Sequence, residues 1–427
     1  MGLRMCGTSG KEFMQSLPEK EVISMTLQVD IRQLVHSLSD TLDLVGVDEV
    51  QHGKRVAFMA RSCAKVMDWS EKRLDRLYHA SLLHDCGVSS TEVHRKLVSE
   101  LDWNESEEHC IRGEELLRRC RVFEGLPQII RYHHTHWEDM PDFPDRETAL
   151  FSNLIYLADR VDALICQNLR TDILMARHDI CDTIAKYRGT FFEKTLTDSF
   201  LHAAESEIFW LMLDPRHMTR YVMEMEKGAM PVAADAETVL EMPDVFADIV
   251  DAKSSFTLAH SKGVGRLARY LGSLLGLSEK NLEMLEVAGL LHDLGKLYIP
   301  DGILEKPGPL TEEERSIMLR HSFESYQILS RISGFEKIAR WAAFHHEELS
   351  GGGYPFRKSR EGLPTEARII AAADVFQALA QKRPYRDSMP IDRIVSIMEE
   401  MAANGKLDPD LVAMVKADAQ KCLEVIS

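Results

Sequence analysis

From His260 the apolar positions Val264, Leu267, Leu271 and Leu274 follow in steps of four, three, four and three, the spacing of one buried helical stripe. Residues 52–66 carry the same pattern, with His52, Val56, Met59, Cys63 and Val66 stepped identically. Each stripe opens on a histidine. Strand-like alternation is scarce along the chain, so the pattern predicts an all-α fold.

The two stripes are part of a longer repeat. "SLLHDCG" at 81–87 recurs as "GLLHDLGK" at 289–296, "RYHHTHWE" from Arg131 as "AFHHEELS" from Ala343, and "IYLADRVDAL" from Ile155 as "IAAADVFQAL" from Ile370. His52 to His84 spans 32 residues, as does His260 to His292; His109 to His133 spans 24, as does His321 to His345. The remaining gaps differ by a few residues, as loop-length changes produce. Two tandem helical domains are therefore expected: an extension over 1–25, a first domain over 26–226, a connector over 227–245 and a second domain over 246–427. The Ala-rich stretch "KGAMPVAADAE" marks the boundary.

Composition narrows the function. A net charge of −17 disfavours broad binding to DNA or RNA, and neither a basic cluster nor a phosphate-binding glycine loop of P-loop or Rossmann pattern is present. No apolar run reaches the roughly 20 residues that span a bilayer. The start of the chain lacks the apolar stretch of a signal peptide. Eight cysteines without a C-x-x-C pair read as reduced thiols, so a cytoplasmic protein without membrane attachment is expected.

Any one histidine on an apolar helix face is usually a satisfied core residue. Here several helices each bring an imidazole or carboxylate inward, and burying that many without compensation costs several kcal/mol apiece, as a rough transfer figure. Five histidines recur in matched order, twice. A metal centre offers the compensation, since imidazole with carboxylate suits Fe, Mn or Zn.

At these residues the sequence resembles the HD superfamily of phosphohydrolases, and specifically its HD-GYP branch. "HDLGK", "IPDGILEKPGPLTEEE", "HHEELSGGGYP", "AAADVFQAL" and "RPYR" carry the resemblance over about 250–420, and a divergent copy covers about 26–215. The resemblance implies that His260, His292, Asp293 and Asp374 hold one divalent ion, Fe or Mn. Asp293 would bridge to a second ion held by His321, His345 and His346. It further implies that Lys296 contacts the substrate phosphate, with Gly352, Gly353, Tyr354, Pro355 and Arg383 lining the substrate site. A place four residues before the first His, a carboxylate in relatives with a third metal, is Phe256 here, which implies two ions.

The implied activity is hydrolysis of a cyclic dinucleotide by metal-activated water, cyclic di-GMP ranking first and cyclic GMP-AMP second. A non-hydrolysing receptor and a general nucleotide phosphohydrolase are the alternatives. A second copy of the chain or a signalling protein is the expected macromolecular partner. In the first half the resemblance extends to a second metal set: His52, His84, Asp85, His109, His133, His134 and Asp159, with Asp48 four before the first His. There, however, Val88 replaces the lysine and "THWEDMPDFP" replaces the glycine loop. A regulatory rather than hydrolytic first domain is the reading this favours.

Overall fold

The computed structural model describes residues 30–43, 51–88, 90–102, 105–143, 145–168, 171–227, 236–253, 260–381 and 388–426. Among them there is no β-strand, and the predicted all-α architecture is what forms. No helix among them is long and apolar enough to cross a membrane.

The first half contains α1 (Ile31–Asp43), α2 (His52–Val66), α3 (Glu71–Leu82), α4 (Thr91–Ser99), α5 (Glu107–Arg118), α6 (Pro127–Arg131) and α7 (Arg146–Gln167). Helices α8 to α11 follow between Ile173 and Lys227. The second half opens with α12 (Ala236–Lys253), α13 (His260–Leu274) and α14 (Glu279–Leu291), then a 3-10 turn at Leu294–Tyr298. Short helices α15 and α16 lie between Asp301 and Met318. They lead to α17 (His321–Leu329), α18 (Glu336–Ala343) and α19 (Thr365–Ala380), with α20 to α22 between Ile391 and Ile426. The expected connector over 227–245 is thus helical from Ala236 onward, where α12 begins. Residues 1–29 and 228–235 lie outside the described residues.

The stripes behave as the pattern predicts. Val56, Met59 and Cys63 of α2, and Val264, Leu267 and Leu271 of α13, are all fully buried. Val66 and Leu274, the last residue of each stripe, are exposed because each helix ends there. In each half the helix that carries the first histidine packs on the helix before the His-Asp pair and on the long helix near the end of the repeat. That packing directs all the histidines toward one centre.

The two halves also exchange contacts. Helix α1 packs on α2 and α3 of its own half and on α17 and the Leu294–Tyr298 turn of the other. Helix α12 in turn packs on α13 and α14 and on α5 of the first half. Matching ion triads tie these crossings. Asp40 of α1 pairs with Lys54 of α2 and with Arg331 beyond α17. Asp248 of α12 pairs with Lys262 of α13 at 2.8 Å and with Arg119 beyond α5 at 2.5 Å. Each Asp lies twelve residues before its first histidine, and each Arg ten after the third histidine of the opposite half. The duplication is therefore spatial as well as sequential.

Candidate metal centre

In the second half Asp293 follows α14, and its two carboxylate oxygens point different ways. Oδ2 lies 3.2 Å from His292 Nε2, 3.9 Å from His260 Nε2 and 2.5 Å from Lys296 Nζ. Oδ1 lies 3.5 Å from His321 Nε2 and 3.8 Å from His345 Nε2. Asp374 of α19 approaches the first group, with Oδ1 3.1 Å from His260 Nε2 and 3.8 Å from His292 Nε2. His321, His345 and His346 bring their ring nitrogens together on the other side. The grouping matches the division the sequence implied, with Asp293 between the two sets.

Hydrogen bonding fixes the tautomers. His292, His321 and His345 each donate Nδ1–H to a carbonyl three residues back, on Gly289, Met318 and Ala342, at 2.6–2.7 Å. In the neutral ring this leaves Nε2 as a lone pair. His321 Nε2 and His345 Nε2 then face each other at 3.4 Å with no proton to share. His292 Nε2 and Asp293 Oδ1 have no hydrogen-bond partner among the described residues. A cation between them would satisfy these buried acceptors, and the donor set fits a divalent metal.

Electrostatics point the same way. Burial drives His321 down to about 4 and His346 down to about 3, keeping both neutral as ligands require. Burial pushes the Asp293 carboxyl up, but His292 and Lys296 outweigh it and hold it well below the usual carboxylate range.

The glycine loop closes one side. Helix α18 ends at Ala343, so His345 and His346 sit in the turn after it. The Tyr354 ring stacks on His346 with centroids 4.8 Å apart, and its N–H donates to the His346 carbonyl at 3.2 Å. Of the three glycines only Gly351 has positive φ, at 78°. Gly353 serves close approach instead: a Cβ there would lie 2.5 Å from Glu347 Cα and from the His346 carbonyl oxygen. Ser350 Oγ accepts from Gly352 N–H at 3.2 Å and donates to Glu348 at 3.0 Å, which braces the loop. Pro355 follows a cis Tyr354–Pro355 bond. Phe256, Arg383 and Arg386 lie outside the described residues, as does Asp48 of the first half.

The first half repeats the centre. Asp85 Oδ2 lies 3.4 Å from His84 Nε2 and 3.6 Å from His52 Nε2, while Oδ1 lies 3.4 Å from His109 Nε2 and 3.7 Å from His133 Nε2. Asp159 joins with Oδ1 3.4 Å from His52 and Oδ2 3.5 Å from His134. His84 and His133 donate Nδ1–H to the Ser81 and Ile130 carbonyls, and their Nε2 atoms lie against those of His52 and His109, each at 3.2 Å. All seven expected residues converge. Gly87 and Gly295, the glycines of the two His-Asp segments, show why the copies share this residue: a Cβ on either would strike the carbonyl of His109 or His321.

Several supporting residues escaped the sequence reading. Glu347 accepts the N–H groups of Phe356 at 2.6 Å and Lys358 at 2.7 Å, pinning the far end of the glycine loop. Asp162 accepts Nδ1–H of His52 at 2.7 Å and is held by Arg55. Cys110 Sγ lies 3.5 Å from His133 Nδ1 and 3.7 Å from His109 Nε2. Burial raises that thiol, but the two imidazoles more than offset it and bring it to about 6. Asp162 had a signal, lying one turn after Asp159 on the same helix face; Cys110 had none beyond adjacency to His109.

Comparison with known proteins agrees with the geometry. The HD domain family matches residues 50–164 and again 244–411. The chain is 35% identical to 3′3′-cGAMP-specific phosphodiesterase 1 of Vibrio cholerae, over 93% of this chain and 94% of that protein. It is 38% identical to the cyclic di-GMP phosphodiesterase response regulator RpfG of Xanthomonas campestris, over 54% of this chain and 62% of that one. The crystal structure of V-cGAP3, a cyclic GMP-AMP-specific phosphodiesterase of V. cholerae, superposes with a TM-score of 0.63 at 26% identity, covering 92% of this chain and 98% of that one. With two HD domains, an aspartate set between two imidazole groups in each and a glycine-tyrosine-proline loop in the second, the chain belongs to the HD-GYP branch of the HD-domain phosphohydrolases and is a phosphodiesterase.

Proposed function

We propose that the second half hydrolyses a phosphodiester bond of a cyclic dinucleotide, with 3′3′-cyclic GMP-AMP as preferred substrate and cyclic di-GMP as the second. The observation that carries the reading is Asp293: one carboxylate shared between two imidazole groups, with Lys296 on its Oδ2 edge. The substrate order rests on the relative matched along nearly its whole length, which is named for cyclic GMP-AMP; the sequence alone ranked cyclic di-GMP first.

His260, His292, Asp293 and Asp374 would hold one ion, and Asp293, His321, His345 and His346 the other, with Fe or Mn suited to that mixed set. Divalent ions so placed neutralise phosphate charge and acidify water. The chain supplies the rest. Lys296 adds a cation where negative charge grows on the transferring phosphate. Gly352 and Gly353 let the loop fold closely against Glu347, Glu348 and His346 at the edge of the site, and Tyr354 stacks on the His346 ring. The first half has the ligands but Val88 in place of the lysine, and it does not turn over substrate in this reading.

The test is anaerobic loading with Fe(II) or Mn(II), followed by assay of both dinucleotides. Turnover lost in Asp293→Ala and kept in Asp85→Ala supports the assignment. Tight binding without turnover in either metal would convert the protein to a receptor.

A further inference from the structure

We propose that the first half carries a closed metal centre whose ion is retained and does not exchange, and that Arg160 is the positioning residue that locks it. The proposal rests on the metal reading of the seven residues around Asp85 but not on turnover by the second half.

The fit to a cation stands on orphaned atoms. Asp85 Oδ1 and His134 Nε2 are buried without a hydrogen-bond partner among the described residues. In the neutral rings of His52 and His84 both Nδ1–H groups are committed, to Asp162 and to the Ser81 carbonyl, and the two Nε2 lone pairs face each other at 3.2 Å.

Closure comes from α4. His94 of this helix is buried, with its ring 6.0 Å from that of His52 and nearly perpendicular to it. His94, His52, His84, Asp85 and Val88 line a cavity of about 20 Å³ together with Leu42 and Asp43 of α1. A space of that size admits about one water and no nucleotide.

Arg160 fastens the cover. Its guanidinium is 1% exposed and donates to the carbonyls of Leu97 at 2.9 Å, Glu100 at 2.5 Å and Leu101 at 3.2 Å. The same group donates to Asp159 Oδ2 at 2.7 Å. One side chain therefore joins the end of α4 to a carboxylate of the ligand set. A cation at the carbonyl end of a helix is also favoured by the helix dipole.

A second support lies behind His52. Its Nδ1–H donates to Asp162, and Arg55 forks onto that carboxylate at 2.6 and 2.7 Å. Such carboxylate support orients a ligating imidazole and raises its basicity. The second half has none of these parts. Val375 follows Asp374, and Gly263 and Gln377 stand where Arg55 and Asp162 stand, leaving His260 Nδ1 without a partner among the described residues.

Full-length protein loaded with Mn(II) is dialysed against a chelator, and bound metal is followed by elemental analysis. The expected result is a fast-released fraction missing in Asp293→Ala and a slow fraction missing in Asp85→Ala. Arg160→Gln should speed loss of the slow fraction by at least about tenfold, the lower end for mutated supporting shells. A slow fraction that depends on Asp293, or no slow fraction at all, overturns the proposal. An unchanged release rate in Arg160→Gln removes Arg160 from it. Should Arg160→Gln fail to fold, His94→Ala opens the same cavity and should speed release likewise, with amide exchange of α4 rising in step. These readouts do not involve turnover, so a failure here leaves the hydrolytic reading of the second half standing.

Discussion

Lys296 lies 2.5 Å from Asp293 Oδ2, a cation placed on the carboxylate that joins the two imidazole groups. Lys296→Met keeps the stem and deletes the charge, so kcat should fall by about 10²–10³, as for loss of one transition-state donor. Bound metal measured on the same sample should stay near the wild-type content. Glu347 is a residue of a different kind, since it touches loop backbone alone among its described hydrogen bonds. Glu347→Ala removes two charge-assisted hydrogen bonds from part-buried backbone N–H groups, a cost of about 1–3 kcal/mol. It should appear as a lower Tm and a raised KM, with the metal content unchanged. The residues legible in the sequence were those the repeat displayed twice: seven ligand positions in each half, all of which converge in space. The illegible ones, Arg160 and Glu347, act by hydrogen bonds to loop or helix-end backbone, with Arg160 also reaching the Asp159 carboxylate. No spacing rule marks such bonds in advance.

At the scale of elements, the glycine loop and α1 make separate predictions. Gly353→Ala forces the loop away from Glu347 and His346, because the clash is with backbone and no side chain can swing clear. Dinucleotide turnover should drop while the helical circular dichroism is preserved. Helix α1 buries His36 beside Tyr78, with neither ring nitrogen hydrogen-bonded among the described residues. Burial lowers His36 to about 3; Asp40 opposes this, and His79, Lys54 and Arg331 reinforce it. Above pH 6.5 the ring is neutral folded and unfolded, and contributes no pH dependence. Below 6.5 the unfolded chain takes up the proton first, so stability falls as pH drops toward 3, by about 1.4 kcal/mol per unit for this group. Between pH 6.5 and 5.0 that is about 2 kcal/mol. Denaturant unfolding of His36→Leu should show a correspondingly shallower acid decline than wild type. Periodicity located α2 to the residue at its first histidine, because a buried stripe writes itself into the sequence. It took 227–245 for a connector because Ala, Gly and Pro there carry little periodicity, yet α12 is helical from Ala236 even with Pro243 inside it. Packing against α5 and α14 decided that segment.

For the molecule as a whole, the crossed packing of α1 and α12 makes the halves one cooperative unit. Leu34, Val35 and Leu38 of α1 are buried, and their helix belongs by contact to both halves. Leu38→Ala should cost about 2–5 kcal/mol. Calorimetry should show it as a downward shift of a single transition; a low-temperature peak splitting from an unchanged one would contradict the shared core. Tandem arrangement was legible from equal histidine spacings. The exchange was not, because Asp40 and Asp248 read as ordinary surface acids until their partners on the opposite half are seen.

The matched triads have a consequence for how two such sites diverge. A pair of identical subunits joined by this interface would receive every substitution twice, so neither centre could lose its lysine while the other kept one. Covalent linkage lifts that restriction. The junctions stay self-complementary, Lys54–Asp40–Arg331 against Lys262–Asp248–Arg119, while Val88 and Lys296 drift apart at equivalent places. A single gene can then preserve the symmetry of the scaffold and abandon the symmetry of the chemistry.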